Sequence, residues 1–201
     1  LNFGDGSLRQ AITNANAFAS NDTIIFSISG ATITLSSQIS ITDSVTIDGS
    51  GNSITVSGGG TTRIFNITGS PTVTLVSLTL TQGQPASGSG GAILATAGST
   101  LNITYSTFTN NGGTISGAID TSGGLNVSGS SFSGNSGATG SAIHVNTGAP
   151  SPTISSSFFT YNSGIFAVWF ELVTGTASIS NSVFNGNAGG FGGSGNIYFI
   201  N

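Results

Sequence analysis

The chain has no cysteine and no methionine, and only 4% of its 201 residues are charged, where about a quarter is usual. Without cysteine there is no disulfide, no thiolate ligand and no thiol nucleophile. Lysine is also absent: Arg9 and Arg63 are the only cations, against Asp5, Asp22, Asp43, Asp48, Asp120 and Glu171, for a net charge of -4. Two cations cannot neutralise a track of phosphates, which excludes nucleic acid as a partner. No apolar run approaches the ~20 residues of a spanning helix, so a membrane-spanning chain is not expected. One histidine and scattered carboxylates fall short of the three or four ligands a metal needs, so neither a metal nor another cofactor is expected. The missing methionine, even at position 1, reads as a processed chain whose secretory signal has been removed. A surface of Ser, Thr, Asn and Gly with few charges agrees with an extracellular or cell-surface location. Asn21, Asn66, Asn102 and Asn126 stand in glycosylation triplets, although such triplets arise by chance in a chain of this composition.

What the chain does have is glycine, 32 residues of it, and 36% hydrophobic residues set at regular intervals, which argues against disorder. Gly90-Gly91-Ala92-Ile93 leads to Phe108-Thr109-Asn110-Asn111. Ser116-Gly117-Ala118-Ile119 leads to Phe132 and Asn135, and Gly140-Ser141-Ala142-Ile143 to Phe159 and Asn162. A worn copy runs from Ala167-Val168 to Phe184 and Asn187. A period in the twenties with β-type content marks a solenoid in which each repeat is one coil. The expected fold is all-β: a right-handed parallel β-helix with ~25-residue coils, three short strands per coil and a short N-terminal capping helix.

Taken in order, Ser7-Leu8-Arg9-Gln10 is a capping-box pattern, with Ser7 accepting from an amide and Gln10 reaching back. Leu8, Ala11, Ile12, Ala15 and Phe18 follow at helical spacing, predicting a helix over 7–18 that covers the first coil. Alternating strands over 22–82 form irregular first coils, with Asp43 and Asp48 read as turn formers and Arg63 within reach of either. Residues 83–91 read as a loop leaving the solenoid. Regular coils fill 92–201, ending in an apolar strand with no cap, all within one domain spanning 1–201. Parallel strands ~4.8 Å apart stack equivalent side chains. Phe108, Phe132, Phe159 and Phe184 therefore form one column of a structural ladder. Asn111, Asn135, Asn162 and Asn187 form another, bonding between coils and tolerating a left-handed corner.

The pairing of Gly-Gly-Ala-Ile with Phe-x-x-Asn over residues 90–187 resembles the repeat of the polymorphic outer-membrane protein family and of bacterial adhesin passengers. That resemblance implies a secreted or surface-displayed β-helix acting in adhesion. Gly6 to Ile12, with Asp22 to Phe26, is similar to the cap and first coil of secreted β-helix proteins. Only the copy at 90–93 matches Gly-Gly-Ala-Ile in full.

Little catalytic chemistry is available. Aligning the repeats puts Leu94, Asp120, His144 and Trp169 at one outward position, with Glu171 on the same face. Asp120 and His144 become neighbours ~5 Å apart. Asp120, His144, Trp169 and Glu171 are thus candidate ligand-binding residues, with Trp169 as a platform for a sugar ring. The leading expectation is an extracellular structural or adhesive solenoid. Low charge and the apolar Tyr198, Phe199 and Ile200, facing the helix residues Leu8 and Ile12 of another copy, favour head-to-tail assembly of a homo-oligomer into a filament. The alternative is a polysaccharide-binding or polysaccharide-degrading β-helix with a glycan ligand. A third is ice binding, through outward pairs such as Thr72-x-Thr74, Asn102-x-Thr104 and Asn126-x-Ser128.

Overall fold

The computed structural model describes residues 4–189 and 195–200. The parts of the expected regular coils at 190–194 and 201, and the extreme N-terminus at 1–3, lie outside the described residues. The strands build three seven-stranded parallel sheets. The first sheet holds Asp22–Ile25, Val45–Asp48, Thr72–Val76, Thr100–Thr104, Gly124–Ser128, Thr153–Ser155 and Ser178–Ser180. The second holds Thr32–Thr34, Ile54–Ser57, Leu78–Thr81, Thr107–Thr109, Ser131–Ser133, Phe158–Thr160 and Val183–Asn185. The third holds Ile39–Ile41, Phe65–Ile67, Ile93–Ala95, Ile119–Thr121, Gly140–Val145, Phe166–Glu171 and Gly195–Ile200. The chain visits the sheets in turn, so each circuit is one coil of a parallel β-solenoid with about 7 turns. Among the described residues no helix is long and apolar enough to cross a membrane.

The coils differ in length, yet the columns stay in register, because insertions are absorbed at corners. Ile93, Ile119, Ile143 and Val168 stack in the third sheet, and Ile103, Val127, Ile154 and Ile179 in the first. Phe108, Phe132, Phe159 and Phe184 stack with centroids 4.8, 4.9 and 4.6 Å apart and planes within 7°. Flat rings on a ~4.8 Å ladder stack face to face in the narrow core, which is why one aromatic type recurs at this position.

The polar columns do the same for hydrogen bonds. Asn135 Oδ1 accepts from both Asn111 N and Asn111 Nδ2, each at 3.0 Å. Its Nδ2 donates to Phe108 O at 3.0 Å and to Asn162 Oδ1 at 2.9 Å. The pattern repeats from Asn162 to Asn187, and Gly83 N opens it by donating to Asn111 Oδ1. The left-handed geometry falls one residue earlier than expected, on Asn110, Gly134, Tyr161 and Gly186. The ladder Asn is therefore selected for its amide, and the residue before it for its backbone. A second ladder escaped the sequence reading. Ser106, Ser130, Ser157 and Ser182 each accept, through Oγ, the main-chain N–H of the residue one coil earlier. Each Oγ–H also donates to the carbonyl two residues back. The full repeat is thus Ser-x-Phe-x-x-Asn.

The helix spans Leu8–Ala15 with Ser7 as N-cap, its Oγ accepting from Gln10 N at 3.2 Å. The reciprocal half of the capping box is not made: Gln10 Nε2 donates forward to Asn14 Oδ1 at 2.8 Å. Phe18 lies beyond the helix end and is exposed. Leu8, Ile12 and Ala15 are buried in the solenoid core. Leu8 and Ile12 thus hold the helix on its own chain, and the partner-facing surface expected of them is not there. Asn16 bridges to Ser40 O, Thr42 N and Asp43 N on the first coil.

Candidate functional site

The predicted column is present on the outer side of the third sheet. Asp120 pairs in register with Leu94 and His144, and His144 with Trp169. The strand alternation aims these side chains away from the apolar core, which predicts exposure. The structure differs: Asp120 is 6% and His144 2% exposed. The cause is a feature the sequence did not reveal. From the third coil onward the corner before the third sheet carries extra residues, and these corners bond to each other between coils. Thr114 N donates to Gly88 O, Ala138 N to Thr114 O and Ile165 N to Ala138 O. This corner ribbon lies against the outer column. A Cβ on Gly90 would come within 3.1 Å of Asp120 Cβ, and one on Gly140 within 3.0 Å of His144 Cβ. Glycines at 90 and 140 allow the approach. Residues 83–91 belong to this ribbon: both ends of the loop bond neighbouring coils, through Gly83 and Gly90, and its tip at 86–88 is exposed.

Beneath the ribbon the Asp120 carboxylate is matched by three neighbouring side chains. Asp120 Oδ2 accepts from Ser116 Oγ at 3.1 Å and faces His144 Nδ1 at 3.2 Å, while Asp120 Oδ1 accepts from Asn146 Nδ2 at 2.6 Å. A carboxylate only accepts, so Nδ1 carries the proton. Burial alone would raise the Asp120 carboxyl. The hydrogen bonds from His144, Asn146 and Ser116, with the His144 charge interaction, outweigh it and hold Asp120 below the usual carboxylate range. Glu171 Oε2 lies 3.3 Å from His144 Nε2, within charge-contact reach, but off-line, since Nε2 has no hydrogen bond. Trp169 stacks on the imidazole at 4.4 Å, and its buried Nε1 also lacks a partner. One face of the indole is therefore covered by His144, where an open sugar platform was expected.

Arg63 belongs to this cluster. Its Nε donates to Gly90 O and its Nη2 to Ser89 O, and Nη1 donates to Gln38 Oε1. Desolvation lowers its pKa and the charge of Asp120 opposes that shift. The guanidinium ties the ribbon to the second coil, so the expected pairing with Asp43 or Asp48 is not made. Both aspartates instead close turns, Asp43 accepting from Ser44 N and Asp48 from Ser50 N. Among the described residues no group of three or more potential ligands converges on a metal site.

The other two outer faces are open. On the first sheet, Asn126 Nδ2 donates to Asn102 Oδ1 at 2.9 Å and Thr153 Oγ1 to Asn126 Oδ1 at 2.8 Å, so the residues of the expected ice-facing column satisfy each other. On the second sheet, outward Thr32, Thr55, Thr79, Thr107 and Ser131 form one column. Two residues on, a parallel column holds Thr34, Ser57, Thr81, Thr109 and Ser133. The signal was present as T-x-T repeats, but they lie in coils of unequal length and do not align by eye. Exposed aromatics flank this face: Tyr105, Phe158 and Tyr161.

No protein-family model matches the chain, and neither curated proteins nor solved structures gave a match. The resemblance to outer-membrane and adhesin repeats therefore rests on the repeat residues, and the fold stands on the structure.

Proposed function

We propose that the chain is a non-catalytic structural or adhesive solenoid working outside the cell. The observation that carries this reading is the burial of Asp120 and His144. The Asp120–His144 pair is spent on joining coils and fastening the corner ribbon, and its carboxylate is taken up by Ser116, His144 and Asn146. The repeated Phe, Asn and Ser residues are likewise consumed in intercoil bonding. Adhesion would then use what remains exposed, namely Tyr105, Phe158 and Tyr161, rings that combine apolar area with low entropy cost.

End-to-end assembly is part of the same reading. Tyr198 and Phe199 on the last described strand are partly exposed, and they support packing of a further coil or copy there. At the other end, an apolar groove between the helix and the first two strands is lined by Ile24, Ile25, Ile28 and Ile33. A parallel edge with almost no charge carries none of the repulsion that usually blunts such edges. Negative-stain microscopy with light scattering tests the assembly: filaments or concentration-dependent oligomers are expected. A strictly monomeric chain that also fails to adhere to cells or glycan arrays overturns the proposal.

A further inference from the structure

The second sheet's outer face has a property that the scaffold role does not require. Its hydroxyl columns are spaced ~4.8 Å between coils and about 6.6 Å along each strand. The first column runs unbroken through five coils. The second is interrupted once, where Ser57 is buried and committed to Gln82 Oε1 and Gly59 N. Among the described residues, the Thr32, Thr55, Thr79 and Thr107 side chains make no hydrogen bond to the protein. This contrasts with the first sheet, where the equivalent positions bond each other.

We propose that this face binds the surface of crystalline water. Three observations select that partner. The hydroxyls of the first column are unspent and available to an external lattice, while in the second Ser57 is committed and Ser133 Oγ donates to Thr109 Oγ1. They are mostly threonine, whose β-branched side chain has few rotamers in a strand. A stiff array loses little entropy when it orders a facing layer, which is what preorganisation contributes to binding. The face also carries no charge at these positions, so no tightly held ionic hydration shell competes with an ordered water layer. A glycan would call for ring platforms, and neither hydroxyl column holds a ring in its first five coils. Phe158 and Val183 replace the hydroxyl in the last two coils, which bounds the site at Ser131. This inference is independent of assembly and adhesion: a monomer with no glycan affinity would still bind ice.

The test is freezing hysteresis and inhibition of ice recrystallisation by the full chain. Faceted crystals and measurable hysteresis are expected from the parent. Thr79→Lys and Thr107→Lys should lose most of the hysteresis, while Asn126→Lys on the first sheet should retain it. Thr79→Val keeps the shape of the side chain and removes the hydroxyl, so it checks that a loss does not come from a bulky charge alone. Circular-dichroism melts establish that each variant is folded. Absence of hysteresis in the parent overturns the proposal. So does equal loss in Asn126→Lys, or binding to powdered neutral polysaccharide without any effect on ice.

Discussion

Replacing Asn135 by alanine should cost clearly more than replacing an asparagine of the exposed ladder. The side chain is fully buried and makes four hydrogen bonds, to Asn111 N, Asn111 Nδ2, Phe108 O and Asn162 Oδ1. Three of those partners keep alternatives. Asn111 Nδ2 still reaches Leu80 O, and Asn162 Oδ1 still accepts from Asn135 N. Phe108 C=O keeps the ladder bond from Ser133 N of the paired strand, so Asn111 N–H is the buried main-chain group left without a partner. An orphan of that kind costs about 1–3 kcal/mol, so a loss of about 2 kcal/mol follows. For a chain of this size a kilocalorie shifts the melting midpoint by about 2–4 °C, which predicts a fall of roughly 6 °C. The control is Asn126→Ala, which also removes ladder bonds, at 2.9 and 2.8 Å, but on the exposed face where water replaces them. It should cost under ~1 kcal/mol. Thermal and urea unfolding of both variants give the comparison. If the two substitutions cost the same, or if Asn135→Ala stays within ~1 kcal/mol of the parent, burial of the ladder is not what makes it matter.

Other outcomes follow from the same geometry. Phe132→Ala opens the aromatic column between two stacked neighbours and should cost ~3–5 kcal/mol, read by urea unfolding. Gly117→Ala should prevent folding of the central coils, because its Cβ would stand 2.1 Å from Ser141 O, a main-chain atom that cannot move aside. It would appear as lost expression or lost β-sheet signal. Asp120 has a folded pKa below its unfolded one, so its stabilisation is full above the ordinary carboxylate range and disappears as pH falls from that range through the lower folded pKa. Asp120→Asn should therefore lower stability at neutral pH and flatten the acid limb of a stability-against-pH curve.

The inward columns were legible because each is a strict chemical repeat: Phe108 to Phe184, Asn111 to Asn187, and the Ile and Val positions. A β-ladder repeats geometry at every coil, so identical demands select identical residues. The outward column of Asp120, His144 and Trp169 was also legible in register, but its burial was not. That depends on the corner segments, whose length varies and whose hydrogen bonds are almost all main-chain, so they leave only glycines behind, such as Gly90 and Gly140. The serine ladder was hidden for the opposite reason: serine is so common here that four in register attract no notice. The displaced left-handed residue has a similar cause, since Asn110, Gly134 and Tyr161 share a backbone angle and no side-chain chemistry.

The asparagine ladder also fixes an order of events. Each ladder Asn completes main-chain groups of the coil before its own: Asn135 satisfies Phe108 and Asn111, and Asn162 satisfies Phe132 and Asn135. The serine ladder has the same sense, each Oγ accepting an N–H from the preceding coil. A coil is therefore unfinished until its successor has been laid on it. On a ribosome this makes maturation trail synthesis by a full turn, with the newest coil always the least protected. Pulse-labelled amide exchange on stalled nascent chains would see that lag directly, as a boundary of protection standing one repeat behind the last residue released from the exit tunnel.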